Sequence, residues 1–105
     1  MTVVSDSVPG QIVVDAGSKT LTSDPHDDGD YGEVVGLPGG RLSTLNEEHG
    51  YIDVRRVERP PAVGDHVSII PNHACGCVNL HDALLGVRSG VAERVITVSA
   101  RGLVR

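Results

Sequence analysis

The stretch that decides the fold is Val63-Gly64-Asp65-His66-Val67-Ser68-Ile69-Ile70-Pro71-Asn72-His73-Ala74-Cys75-Gly76-Cys77-Val78-Asn79-Leu80-His81-Asp82. A breaker-rich loop beginning at Pro60-Pro61 delivers the chain at Asp65 to a short apolar strand, His66-Val67-Ser68-Ile69-Ile70. Pro71 has no N–H to give to a ladder and ends that strand. Asn72 is then a candidate N-cap, and the small residues after it predict one short helical turn near 73–80. A strand this short, closed by proline and followed by a tight turn, belongs to a β-rich fold.

The same signals recur on both sides. Residues 8–14 alternate loosely and run into Asp15-Ala16-Gly17-Ser18-Lys19, which reads as a turn. Residues 33–37 and 41–46 flank Pro38-Gly39-Gly40 and predict a hairpin. Glu47-Glu48-His49-Gly50 reads as another turn, ahead of a strand at Tyr51-Ile52-Asp53-Val54. Residues 83–88 and 91–99 flank Ser89-Gly90, a two-residue hairpin signal. Residues 1–7 read as a tail, and residues 23–32, SDPHDDGDYG, as an acidic surface loop lacking the residue order of a calcium loop. About seven short strands, with no helical apolar stripe, predict a mostly β chain folded as a single antiparallel barrel or sandwich.

Composition agrees. At 105 residues the chain is expected to form one domain with one core. It has no Phe or Trp, and its aromatics are Tyr31 and Tyr51. A Val-rich chain with 13 Gly and 6 Pro suits short strands and tight turns. A formal charge of -5 without a basic patch argues against nucleic acid and anionic membranes as partners. No apolar run approaches membrane-spanning length and no leader pattern opens the chain, which predicts a cytoplasmic protein. Cys75 and Cys77, one residue apart, cannot easily bridge each other.

The chemistry concentrates where the strand ends. His73 and Cys75 offer an imidazole and a thiol one residue apart, the donor pair that zinc prefers. The competing reading is a buried cysteine beside a hydrogen-bonded histidine, and spacing alone leaves both open. Two ligands are half of a site, to be finished by water, substrate or another domain. Cys77 reads as a small core residue, and His81, Asp82 and Asn72 as residues that could hold a ligand from behind. His66 and His26 read as surface histidines. Lys19 after Gly17-Ser18 could meet a phosphate, although a solvated turn lysine is the simpler reading. Asp15 reads as holding its own turn, while Glu48 and His49 are adjacent without forming a dyad.

Taken together, Val14-Asp15-Ala16-Gly17-Ser18-Lys19, Glu47-Glu48-His49-Gly50, Val63-Gly64-Asp65, Pro71-Asn72-His73-Ala74-Cys75 and Asn79-Leu80-His81-Asp82 resemble one known domain. It is the C-terminal domain of the D-serine dehydratase and D-threonine aldolase family, pyridoxal-phosphate enzymes of the alanine-racemase fold type. The resemblance implies a missing N-terminal α/β barrel that carries the cofactor, with a β domain closing the active site. It implies that His73 and Cys75 hold a metal, with the cysteine favouring zinc. It also implies D-β-hydroxy amino acids as substrates of the complete lyase, whose β-hydroxyl the metal polarises. Nothing in the chain matches the cofactor-lysine segment, since Lys19 falls in the C-terminal domain. The chain alone is therefore expected to be inactive and to bind zinc weakly, with a homodimer open to it. A stand-alone β domain that has kept the fold without the chemistry is the alternative.

Overall fold

Ile12 and Val14 alternate with more exposed neighbours, so one face of their strand is apolar, and that face is the core. The computed structural model describes residues 1–103. Its elements in chain order are β1 (Val3–Ser5), β2 (Gln11–Val14), α1 (Ser18–Leu21), β3 (Gly32–Val35), β4 (Arg41–Leu45) and β5 (Gly50–Asp53). There follow β6 (Ser68–Pro71), α2 (Ala74–Asn79), β7 (Ala83–Arg88) and β8 (Val91–Thr97). The strands form an antiparallel sheet ordered β1-β2-β5-β4 and two ribbons, β3-β6 and β7-β8. The fold is mostly β and sandwich-like, and no barrel closes among the described residues. No helix of the described residues is long and apolar enough to cross a membrane.

Several expectations change. The predicted tail contains β1, whose Val3 is 1% exposed because it pairs with Val14 and packs into the core. Asp65 and Gly64 clamp Val3 from the other side, through Val3 N–H to Asp65 O at 2.9 Å and Gly64 N–H to Val3 O at 2.8 Å. The strand expected over residues 8–14 starts only at Gln11, after a turn closed by Gln11 N–H to Val8 O. Pro38-Gly39-Gly40 does turn the chain, but its flanks do not form one hairpin ladder: β3 pairs with β6 and β4 with β5. Local turn signals report reversal; burial decides which partner a strand takes. Pro71 closes β6 from inside the strand, opposite Gly32. At Ser89-Gly90 the expectation holds, with φ of 49° and 78° at the two residues, as a tight two-residue hairpin requires.

The turn expected at Gly17-Ser18-Lys19 is the start of α1. Its first N–H groups need acceptors, and no side chain caps them. Backbone carbonyls from the β4–β5 turn do so instead: Ser18 N–H to Asn46 O at 2.8 Å and Lys19 N–H to Glu47 O at 3.1 Å. Asn46 shapes that turn by accepting Glu48 N–H and His49 N–H on its Oδ1. Gly17 makes the approach possible, since a Cβ there would lie 2.3 Å from Asn46 O and 2.6 Å from Glu47 O. Asp15 does not hold its own turn but accepts Thr2 N–H at 2.6 Å, tying β2 to the segment before β1.

The core is Val3, Ile12, Val14, Ala16, Leu21, Val34, Leu42, Ile52, Val54 and Val67. Among the described residues all of it lies before residue 68, and β7-β8 contributes nothing to it. Leu85, Val87 and Val95 are 58–69% exposed on that ribbon, with Leu85 directly opposite Val95.

Two outcomes follow from these contacts. Gly17→Ala sets a methyl against backbone with no free side chain to yield, and should cost about 1–3 kcal/mol in urea unfolding. The bond from Thr2 holds the Asp15 carboxyl below its ordinary value. Its stabilisation is therefore complete above the ordinary carboxylate range and lost as pH falls through the lowered folded value. Asp15→Asn should be less stable than the parent near about pH 7, and the two should converge toward about pH 2.

Candidate metal centre at the opening of helix α2

The predicted helical turn exists as α2, but His73, not Asn72, occupies its N-cap position, and no side chain caps it. Asn72 is spent elsewhere. Its Nδ2 donates to Asp24 O at 3.0 Å and to Asp30 O at 2.7 Å, fastening both ends of the acidic loop to the strand end. Arg41 fastens the same loop from the other side, with Nε and Nη2 each 2.9 Å from an oxygen of Asp30. The SDPHDDGDYG segment is on the surface, as expected, but it is stitched down beside the candidate ligands.

His73 and Cys75 both lie on the opening turn of α2. Cys75 is exposed and unbridged. His73 donates from Nδ1 to Asp24 Oδ2 at 3.0 Å, so its Nε2 is the nitrogen left for a ligand. An imidazole with a free Nε2 and an accessible thiol on one turn fit a zinc ion in donor chemistry. Among the described residues no group of three or more His, Cys, Asp or Glu side chains gathers around one point, so the pair supplies half a coordination shell.

The other expected residues have different jobs. Cys77 is half-buried and donates its S–H to Thr20 O at 3.1 Å, and desolvation pushes its thiol pKa up. His81 Nε2 donates to the same carbonyl at 3.0 Å, which joins α2 to α1. Asp82 takes Arg101 Nε at 2.5 Å, at the far end of the segment. Lys19 sits between Glu47 Oε2 at 2.9 Å and Glu48 Oε1 at 2.6 Å. Glu48 and Glu47 raise the Lys19 pKa, and Lys19 lowers that of Glu48, which makes Glu48 a poor general base.

Sequence reasoning missed Asp24 and Thr22. Thr22 caps the end of α1 at φ 73° and ψ 173°, a conformation that costs a β-branched residue about 1–3 kcal/mol. Its Oγ1 accepts Asp24 N–H and donates to Asp24 Oδ2, each at 3.4 Å. An S-D pair after a turn carries no periodic signal, and only the fold shows what it faces.

A groove of about 630 Å³ opens beside Asn72, lined in part by Asp28, Asp30, Glu33 and Ile70. Asp30 on this wall is paired with Arg41, and His26 beside Asp28 lines it as well.

The family described as "Putative serine dehydratase domain" matches residues 1–87. A D-threonine aldolase of Arthrobacter sp is 36% identical over 104 residues, covering 99% of this chain and 26% of that protein. An uncharacterised protein of Mycobacterium tuberculosis is 34% identical over 93 residues, covering 88% of this chain and 70% of that protein. The crystal structure of D-threonine aldolase from Filomicrobium marinum has a TM-score of 0.84 at 34% identity, over 99% of this chain and 28% of that one. The chain thus spans about a quarter of the aldolases it matches and corresponds to their C-terminal domain.

The two thiols should differ in reactivity. Iodoacetamide at mildly alkaline pH should alkylate Cys75 well before Cys77, because the latter is half-buried, bonded to Thr20 O and raised in pKa. Peptide mapping by mass spectrometry reads the order.

Proposed function

The chain belongs to the serine dehydratase domain family, and from that premise we propose that it is the metal-binding C-terminal domain of a pyridoxal-phosphate-dependent lyase acting on D-β-hydroxy amino acids. The observation that carries this reading is the opening turn of α2, where His73 turns its Nδ1 to Asp24 and Cys75 stands exposed. When bound, pyridoxal phosphate on the rest of the enzyme supplies an electron sink, and zinc at this turn supplies Lewis acidity toward the substrate's β-hydroxyl.

This chain's own residues bind and orient. His73 Nε2 and the Cys75 thiolate would be the two donors this chain offers a zinc ion, which would supply Lewis acidity there. The α1–α2 contacts through Thr20 O fix the turn that carries both ligands. The exposed Leu85, Val87 and Val95 support a missing partner, since a two-stranded ribbon is marginal unless something covers it. Free thiols suit the reducing cytoplasm.

A second reading, a stand-alone β domain without chemistry, draws support from the mycobacterial relative, of which the matched 93 residues already make up 70%. Calorimetry separates the two. Under the lyase reading the lone chain binds zinc weakly, and His73→Ala and Cys75→Ser abolish it. Fused to the N-terminal domain of the Arthrobacter aldolase, it should restore zinc-dependent cleavage of a D-β-hydroxy amino acid. No zinc binding, or nanomolar binding by the lone chain, sinks the half-site reading. A pyridoxal absorbance band on this chain that vanishes in Lys19→Ala would move the cofactor here instead.

A further inference from the structure

Asp24 sits in a loop whose acidic residues read as solvated, yet its carboxylate is held at one nitrogen of one histidine. From this placement, and resting on the metal reading above, we infer that Asp24 is a positioning residue for the metal. It fixes the His73 ring in the tautomer that presents Nε2 to the ion.

Three features carry the inference. The first is the contact itself: His73 Nδ1 lies 3.0 Å from Asp24 Oδ2. A carboxylate only accepts, so the ring hydrogen must be on Nδ1 and the lone pair on Nε2. In water a neutral histidine side chain favours hydrogen on Nε2, so the contact selects the minor form. Second, Asp24 is held from two directions. Thr22 bonds its carboxylate and its N–H, and Asn72, the neighbour of His73, bonds its carbonyl. Thr22 does this from a left-handed backbone position that a threonine rarely adopts. Third, the helix makes room for the loop. A Cβ at Gly76 would lie 2.9 Å from Thr22 Cγ2 and 3.5 Å from Asp24 Oδ2. The His73 and Asp24 side chains are both more than half exposed, so the contact depends on these supports to hold one geometry, and a carboxylate held behind a ligating imidazole sets the orientation of its ring.

The test has two readouts, neither of them activity. Nitrogen-15 NMR of the metal-free chain, at a pH where His73 is neutral, reports the tautomer, and calorimetry reports zinc affinity. The wild type should carry hydrogen on Nδ1. Asp24→Ala should shift it toward Nε2 and weaken zinc about 10- to 100-fold. Asp24→Asn, which keeps a neutral acceptor and the shape, should fall between. Arg41→Ala loosens the same loop at Asp30 without touching Asp24, and should leave both readouts unchanged. Wild type with hydrogen on Nε2, or Asp24→Ala and Asp24→Asn with unaltered affinity, overturns the inference alone. Equal losses in Arg41→Ala and Asp24→Ala would reduce Asp24 to loop packing and overturn it too. Wild type that binds zinc no better than His73→Ala overturns the metal reading and this inference with it.

Discussion

The arrangement depends on a close contact between backbones at Gly17. Because no side chain stands between them, the first N–H groups of α1 reach the carbonyls of Asn46 and Glu47. That contact locks a one-turn helix, far too short to persist alone, onto the end of the β1-β2-β5-β4 sheet. Leu21 then drops into the core, and Thr20 O is left facing α2. Cys77 and His81 converge on that carbonyl, so the position of α2 is inherited from α1, and the position of α1 from a β-turn. The candidate ligands are two links away from the sheet and rest on no apolar core of their own.

This explains why the chemistry sits where it does. Under the proposed reading, a site that meets ligands and another domain would stay uncovered by its own chain. The molecule separates the tasks: the closely packed core ends by Val67, and the segment after it carries polar anchors, an exposed thiol and an uncovered apolar ribbon. Rigidity at α2 comes from directed bonds instead of packing. Thr20 O serves two donors, Asn72 serves two carbonyls, and Thr22 accepts a strained backbone to aim Asp24. Such bonds fix geometry well while adding little net stability, because water competes for every partner at an exposed site.

Under the proposed reading, membership of the serine dehydratase domain family would give these anchors a purpose. In relatives about four times as long, the same fold occupies about a quarter of the chain. Under the proposed lyase reading, the exposed Cys75 beside His73 and the exposed apolar side chains of β7-β8 would lie on one side of a divided active site. Taken alone, each has a simpler explanation.

The sequence by itself determined what local chemistry can: β-rich architecture from Val, Gly and Pro, the Ser89-Gly90 hairpin and the short helix after Pro71. These depend on neighbours along the chain, where φ preferences and side-chain type act directly. Tertiary structure decided everything that required a distant partner. It gave β3 to β6 instead of β4, drew the supposed tail into the sheet through Val3, turned Asp15 toward Thr2, and made Asn72 a clamp instead of a cap. Asp24 is the sharpest case. It lies 49 positions from His73 in sequence and 3.0 Å from it in space. No local rule selects it from the other carboxylates of its loop; the bonds from Asn72 to its carbonyl and from Thr22 beside it hold it there.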